Sequence, residues 1–298
     1  MSNDGNEWVT IYSSESERAC SERALVLQAV GTAYQVHREA DEFTLAVAAM
    51  DAARSRAELD ACTMENRYWR SARPATRQCA DGWNGILGFV AALSVMPVLQ
   101  QRHAFGVDWF SLGKTHAGLI RQGEWWRTVT ALTLHIDLEH VLSNLVIGGF
   151  VGLFAGQSLG SGLAWCCILI AGALGNFLNA WVHPPDHTSV GSSTAIFAAL
   201  GLLASYAWWQ RRTRRTSRLE RWAPLVGGVL LLSFLGTGGG RTDVTAHLFG
   251  FLCAVPFGVL CAKLGDGVAS TPRAQFLFGL AALAVLTIAW AFALMTHV

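Results

Sequence analysis

The chain has 298 residues, 52% of them hydrophobic and only 14% charged, with a formal net charge of +1. A soluble domain carries nearer about 25% charged residues, so a wholly soluble protein is a poor fit. The near-neutral balance selects no strongly charged partner, nucleic acid included.

Charge is unevenly placed, with 22 of the 43 charged residues in the first 82 positions. That polar head, residues 1–76, reads as a small α/β module. Trp8-Val-Thr-Ile-Tyr12 is a β-branched and aromatic run suited to a strand. Residues 15–31 are helix-forming, with Ala19, Leu25, Leu27 and Val30 as apolar positions and a break at Gly31. Ala33-Tyr-Gln-Val-His37 and Phe43-Thr-Leu-Ala-Val47 can pair as a hairpin across Glu39-Ala-Asp-Glu42, and Asp51 then caps a helix running to about Tyr68. The expected order is β-α-β-β-α, followed by a linker at Arg73-Pro-Ala-Thr-Arg-Gln78. The head holds no catalytic constellation; a regulatory or binding module and a plain structural cap are both open.

The body divides into apolar runs of the length that crosses a bilayer, about 20 residues at 1.5 Å rise. Seven are read, at 83–100, 138–157, 160–181, 192–209, 222–239, 244–263 and 274–296. Between the first two lies a long connection, 101–136, with Trp109, Trp125 and Trp126. The link between the fourth and fifth runs, Arg211 to Arg221, is the most basic stretch, and Lys263 and Arg273 flank the link between the sixth and seventh. Basic connections stay cytoplasmic, which places the head in the cytosol and His183-Pro-Pro-Asp-His187 and Gly238–Asp243 outside. Trp83, Trp208, Trp209 and Trp222 then sit at inner ends and Trp181 at an outer end. Neither a basic n-region nor an apolar h-region follows Met1, so no cleaved signal peptide is expected. The seven cysteines, Cys20, Cys62, Cys79, Cys166, Cys167, Cys253 and Cys261, show no CxxC pair, and packing is their expected role. The arginine-rich link is read as a topology determinant touching anionic headgroups rather than a nucleic-acid site.

Polar residues inside spans are costly and face a bundle interior or a wet cavity. The second span opens with His135-Ile-Asp-Leu-Glu-His140-Val-Leu-Ser-Asn144, the fourth with Val190-Gly191-Ser192-Ser193-Thr194, and the sixth with Asp243-Val-Thr-Ala246-His247. All three spans run from outside inward, so His140, Ser193 and His247 share a depth. His140, Asn144, Gly148, Gly152 and Gly156 form one helical stripe; Ser193, Phe197 and Gly201 form another; His247, Gly250, Ala254 and Gly258 a third. Small residues on a stripe let helix backbones approach closely.

A serine hydroxyl needs an adjacent base, and histidine is the usual one. An acyl-transfer site also needs oxyanion donors, which Asn, His and backbone N–H groups supply. Ser193 starts a helix, where N–H groups lack intrahelical acceptors. Each residue has a plainer role: serine as a packing residue, histidine as a proton relay, Asn144 as interhelical glue. Ser192 is a rival nucleophile, turned elsewhere on the helix. The ordered set at one depth favours a catalytic reading. A transporter would place acidic residues near the midplane, and the proposed spans have none there.

The ordered motifs Trp126-Arg127, His140-Val-Leu-Ser-Asn144, Gly191-Ser192-Ser193 and Ala246-His247-Leu-Phe-Gly250 resemble those of rhomboid intramembrane serine proteases. The match covers residues 83–263. It implies an all-α polytopic membrane protein with a six-helix core, the run at 274–298 being an additional C-terminal transmembrane helix. By resemblance, Ser193 is the nucleophile and His247 the general base, with His140, Asn144 and the Ser193 N–H stabilising the oxyanion. Gly191, Phe197, Trp126, Arg127 and Gly250 are supporting residues, Phe197 as an aromatic packed against His247. The frequent G-x-S-G is altered, with Thr194 in place of its second glycine, and Ala254 replaces another frequent glycine. Asp243, one turn before His247, either ends the outer loop or orients the histidine; the dyad chemistry of rhomboids favours the former. The implied partners are single-span membrane protein substrates in a lipid bilayer, with no nucleic acid, metal or organic cofactor. The implied location is a bacterial inner (plasma) membrane with the N-terminus cytoplasmic. A proteolytically inactive, client-binding member of the same family is the alternative.

Overall fold

The structure is a computed structural model that describes residues 7–39, 42–71, 82–212, 217–236, 242–264 and 271–296. The chain divides into two compact units, residues 1–76 and 77–298.

The first unit runs β1 (Trp8–Ser14), α1 (Glu17–Ala29), β2 (Tyr34–Glu39), β3 (Glu42–Ala48) and α2 (Ala52–Ser71). The antiparallel sheet has the order β1-β3-β2. Central β3 buries Leu45 and Val47 completely against Cys20, Ala24 and Leu27 of α1 and Leu59 of α2. Ser16 begins α1, its hydroxyl accepting from the Ala19 N–H, which satisfies one of the donors a helix start leaves free. Two details differ from expectation. The inward stripe of α1 is Cys20, Ala24 and Leu27, while Leu25 is exposed; spacings of four and three keep the first set on one face. Asp51 lies in a 3-10 turn, Ala49–Asp51, that leads into α2. The expected linker, Arg73–Gln78, is outside the described residues.

Among the described residues, the second unit's regular elements are all helices, several of them of membrane-crossing length. Long helices are α3 (Trp83–Gln101), α7 (Leu138–Leu159), α8 (Ser161–Val182), α9 (Ser193–Arg212), α10 (Arg218–Gly236), α11 (Val244–Leu264) and α12 (Pro272–Met295). Between α3 and α7 come the short helices α4 (Trp109–Gly113), α5 (Ala117–Arg121) and α6 (Arg127–Thr130). By length and composition α3, α7, α8, α11 and α12 are apolar enough to cross a membrane. The helices α9 and α10 occupy the other two expected runs but end in Arg211-Arg212 and begin with Arg218, Glu220 and Arg221.

Glycines set the helix spacing. A Cβ on Gly201 of α9 would run into the Phe251 carbonyl of α11, and one on Gly250 of α11 into the Thr194 carbonyl of α9. Gly258 meets Ser205 and the Leu202 carbonyl in the same way. Gly172 and Gly175 of α8 abut Ala195 and Gly250 backbone. Along α7, Gly148 faces Phe89 and Ile196, Gly152 faces Trp165, and Gly156 faces Gly82. The small-residue stripes are therefore contact seams, as apolar lipid requires.

The α3–α7 connection is braced from within. Arg127 is 8% exposed, donates to Glu124 at 2.5 Å and reaches the carbonyls of Ser111 and Lys114. Buried Trp126 stacks on Phe292 of α12, and Trp109 meets Trp290. Gln275 of α12 closes the α7–α8 turn, accepting from Leu163 N–H and donating to the Leu159 carbonyl, both at 3.0 Å.

Candidate active site

Ser193 is the first residue of α9, and His247 lies in the first turn of α11. The approach of these helices at Gly250 and Thr194 brings His247 Nε2 to 2.8 Å from Ser193 Oγ. His247 is 6% exposed. The Phe197 ring, one turn along α9, lies 4.4 Å from the His247 ring and limits its rotation.

Gly191 precedes the pair with φ +129°, a conformation a side chain rarely adopts. Its N–H donates to the Ala131 carbonyl at 3.0 Å. A Cβ there would sit 2.7 Å from His140 Nε2 and 3.6 Å from Ser193 Oγ. The absent side chain is what lets the His140 imidazole and the Ser193 hydroxyl share one small volume. His140 belongs to the first turn of α7, whose start is capped by Asp137 accepting from the His140 N–H at 2.8 Å. Asn144 follows one turn later, 5% exposed, and its Nδ2 is buried with no partner among the described residues. An unsatisfied buried donor is costly, and such a group is a candidate for binding a charge that appears only during reaction.

Ser192 turns the other way. It is 2% exposed, and its N–H and hydroxyl make long contacts of 3.5 and 3.4 Å to His135 Nε2. His135 was not singled out from the sequence, although it lies five residues before His140 and meets that ring edge-on at 4.9 Å. Burial, and then the nearness of His140, push the His135 imidazole down to about 4, so it is neutral at pH 7. It supports the floor behind Gly191-Ser192.

Asp243 closes the start of α11. Its Oδ1 accepts from Thr245 Oγ1 and Ala246 N–H, and its Oδ2 accepts from Asn179 Nδ2 at 2.7 Å and from His187 Nε2 at 2.8 Å. Burial alone would raise this carboxyl, but the bonds from His187, Ala246 and Thr245 hold it below the usual carboxylate range. Asn176 and Asn179, absent from the expected site, serve as ties: Asn176 Nδ2 donates to the Thr128 carbonyl at 2.9 Å. Two asparagines three apart in an apolar run were the available signal. Trp126 and Arg127 lie in the braced connection and Gly250 at the α9–α11 contact.

A family model described as the Rhomboid domain matches residues 122–264, the stretch from the tryptophan-rich connection to the end of α11. That stretch of the chain is similar to the Rhomboid domain. The chain is 36% identical over 102 residues to "Rhomboid protease GluP" of Bacillus subtilis (strain 168), covering 34% of this chain and 20% of that protein. "Rhomboid-like protease 2" of Toxoplasma gondii is 30% identical over 151 residues, 50% of this chain and 52% of that one. "Rhomboid-like protease 1" of the same organism is 31% identical over 154 residues, 51% of this chain and 52% of the relative. The chain thus spans about half the length, or less, of these curated relatives.

Proposed function

We propose that this chain is a rhomboid-family intramembrane serine endopeptidase in which Ser193 is the nucleophile and His247 the general base. The observation that carries the reading is the 2.8 Å contact between His247 Nε2 and Ser193 Oγ, made by residues from different helices inside the matched domain. Ser193 Oγ attacks the scissile carbonyl while His247 Nε2 takes its proton. The oxyanion is received by Asn144 Nδ2, the His140 ring and the first N–H groups of α9. His247 then protonates the departing amine, and water, activated by the same imidazole, hydrolyses the acyl-enzyme. Six helices, α3 and α7 to α11, form the catalytic core of this reading and α12 an additional helix. The substrate is a single-span membrane protein cut near the outer face, the first unit being cytosolic.

The test is labelling of the detergent-solubilised protein with a fluorophosphonate probe, paired with cleavage of a generic transmembrane substrate. Both are expected in wild type and in Ser192→Ala, and neither in Ser193→Ala or His247→Ala. A folded wild type that neither labels nor cleaves overturns the reading in favour of a client-binding member of the family.

A further inference from the structure

The ten-residue connection between α8 and α9 carries His183 and His187, and Asp243 immediately precedes α11. Their ligand atoms all lie within 4.8 Å of one another, at partly exposed positions. The two imidazoles stack in parallel, with centroids 4.0 Å apart and planes 13° apart. His183 Nε2 lies 2.6 Å from Thr245 Oγ1, and His187 Nε2 lies 2.8 Å from Asp243 Oδ2. A second observation points into the cluster. Asn179 is 2% exposed, donates its Nδ2 to the Asp243 carboxylate, and leaves Oδ1 buried with no partner among the described residues.

The cluster is held in place from outside. Gly118 N–H donates to the Pro185 carbonyl at 2.8 Å, Ala117 N–H to the His187 carbonyl at 3.0 Å, and Thr115 N–H to the Ser189 carbonyl at 3.0 Å. Arg121 is the neighbouring cation, and its guanidinium is committed to the carbonyls of Ala180 and His183.

We propose that His183, His187 and Asp243 form a binding site for a divalent transition-metal ion of the Zn2+ class. Two imidazoles and one carboxylate are a borderline-soft donor set that suits Zn2+ and not Mg2+ or Ca2+. Tetrahedral ligands at about 2.0–2.2 Å from zinc lie about 3.3–3.5 Å apart, so side-chain rotations of about 1.5 Å close the site. The fourth position takes water, for which Asn179 Oδ1 is an acceptor. His187 precedes Ser193 by six residues and Asp243 precedes His247 by four. The ion therefore cross-links the two chain segments whose next turns carry the Ser193–His247 pair. This assignment stands whether or not that pair is proteolytic.

The test uses the full chain in detergent, without a polyhistidine tag, in equilibrium dialysis against Zn2+ and separately Mg2+, followed by elemental analysis. One equivalent of Zn2+ and no Mg2+ is expected to stay with the wild type. His183→Ala and His187→Ala are each expected to weaken Zn2+ binding by at least about 10-fold. Asp243→Asn, which keeps one acceptor oxygen for Thr245 and the Ala246 N–H at the start of α11, is expected to weaken it similarly and guards against misfolding of the histidine variants. His37→Ala, in the first unit, leaves binding unchanged. Zn2+ raises the thermal unfolding midpoint of wild type but not of the three ligand variants. A folded wild type that retains no Zn2+, or ligand variants that retain it as wild type does, overturns the assignment.

Discussion

Helices α10 and α11 are neighbours in the chain, both apolar, and built on opposite rules. Along α11, Ala246, His247, Gly250, Phe251, Ala254, Gly258 and Cys261 are buried, and its glycines press against carbonyls of α9. Along α10, Leu219, Trp222, Val226, Val229, Leu230, Leu231 and Phe234 are exposed. Gly228 meets Ala204 and Phe251, but a Cβ on Gly227 would meet nothing within 4 Å. In lipid, burial of apolar area does not draw helices together; close backbone approach and polar bonds do. The contrast shows why the polar pair sits on α9 and α11: only a seam this tight holds an imidazole and a hydroxyl at bonding distance.

The largest effect tests the polar end of that seam from across it. Asn144→Ala is expected to lower kcat about 10²–10³-fold, the loss seen for one oxyanion donor, with little change in KM; an unchanged kcat would remove Asn144 from the site. Next is Gly191→Ala, whose Cβ meets His140 at 2.7 Å in a backbone conformation suited to glycine. A displacement of this size costs about 10²-fold in activity, measured by substrate cleavage on protein with a native unfolding midpoint. Gly201→Ala, within the seam, should destabilise by about 1–3 kcal/mol through overpacking, read by thermal unfolding in detergent. Gly227→Ala, on open α10, should be neutral or stabilise by about 0.5–1 kcal/mol, since alanine is the better helix former. Equal effects at the two glycines would erase the distinction between the helices. Smallest is Phe234→Ala on the exposed face of α10, expected within about 0.5 kcal/mol of wild type.

Five of the seven expected runs were legible because an apolar run of bilayer length is a strong signal, whereas α9 and α10 cover the other two runs with charged residues at one end. The pairing of Ser193 with His247 was legible from shared depth and from the stripes at four-residue spacing, which turned out to be the contact seams. Strands of the first unit could be read from β-branched runs, whereas Leu25 misled because adjacent apolar residues do not reveal which face of a helix is covered. His135 was hidden because it precedes the first turn of α7, where nothing in periodicity marks a residue tucked behind Ser192. The His183–His187–Asp243 cluster was hidden for another reason: the histidines are four apart, but the carboxylate arrives 56 residues after His187, just before α11. Spacing within one segment cannot report a contact that depends on how two segments are brought together.

The Ser193–His247 contact joins residues 54 apart, with all of α10 between them. Chains are made from the N-terminus onward, so α9 is synthesised well before α11. During that interval the hydroxyl lacks the His247 imidazole. A nascent chain arrested before α11 therefore lacks the pair, and whatever reactivity the pair confers is withheld until the last element of the site has been made and docked.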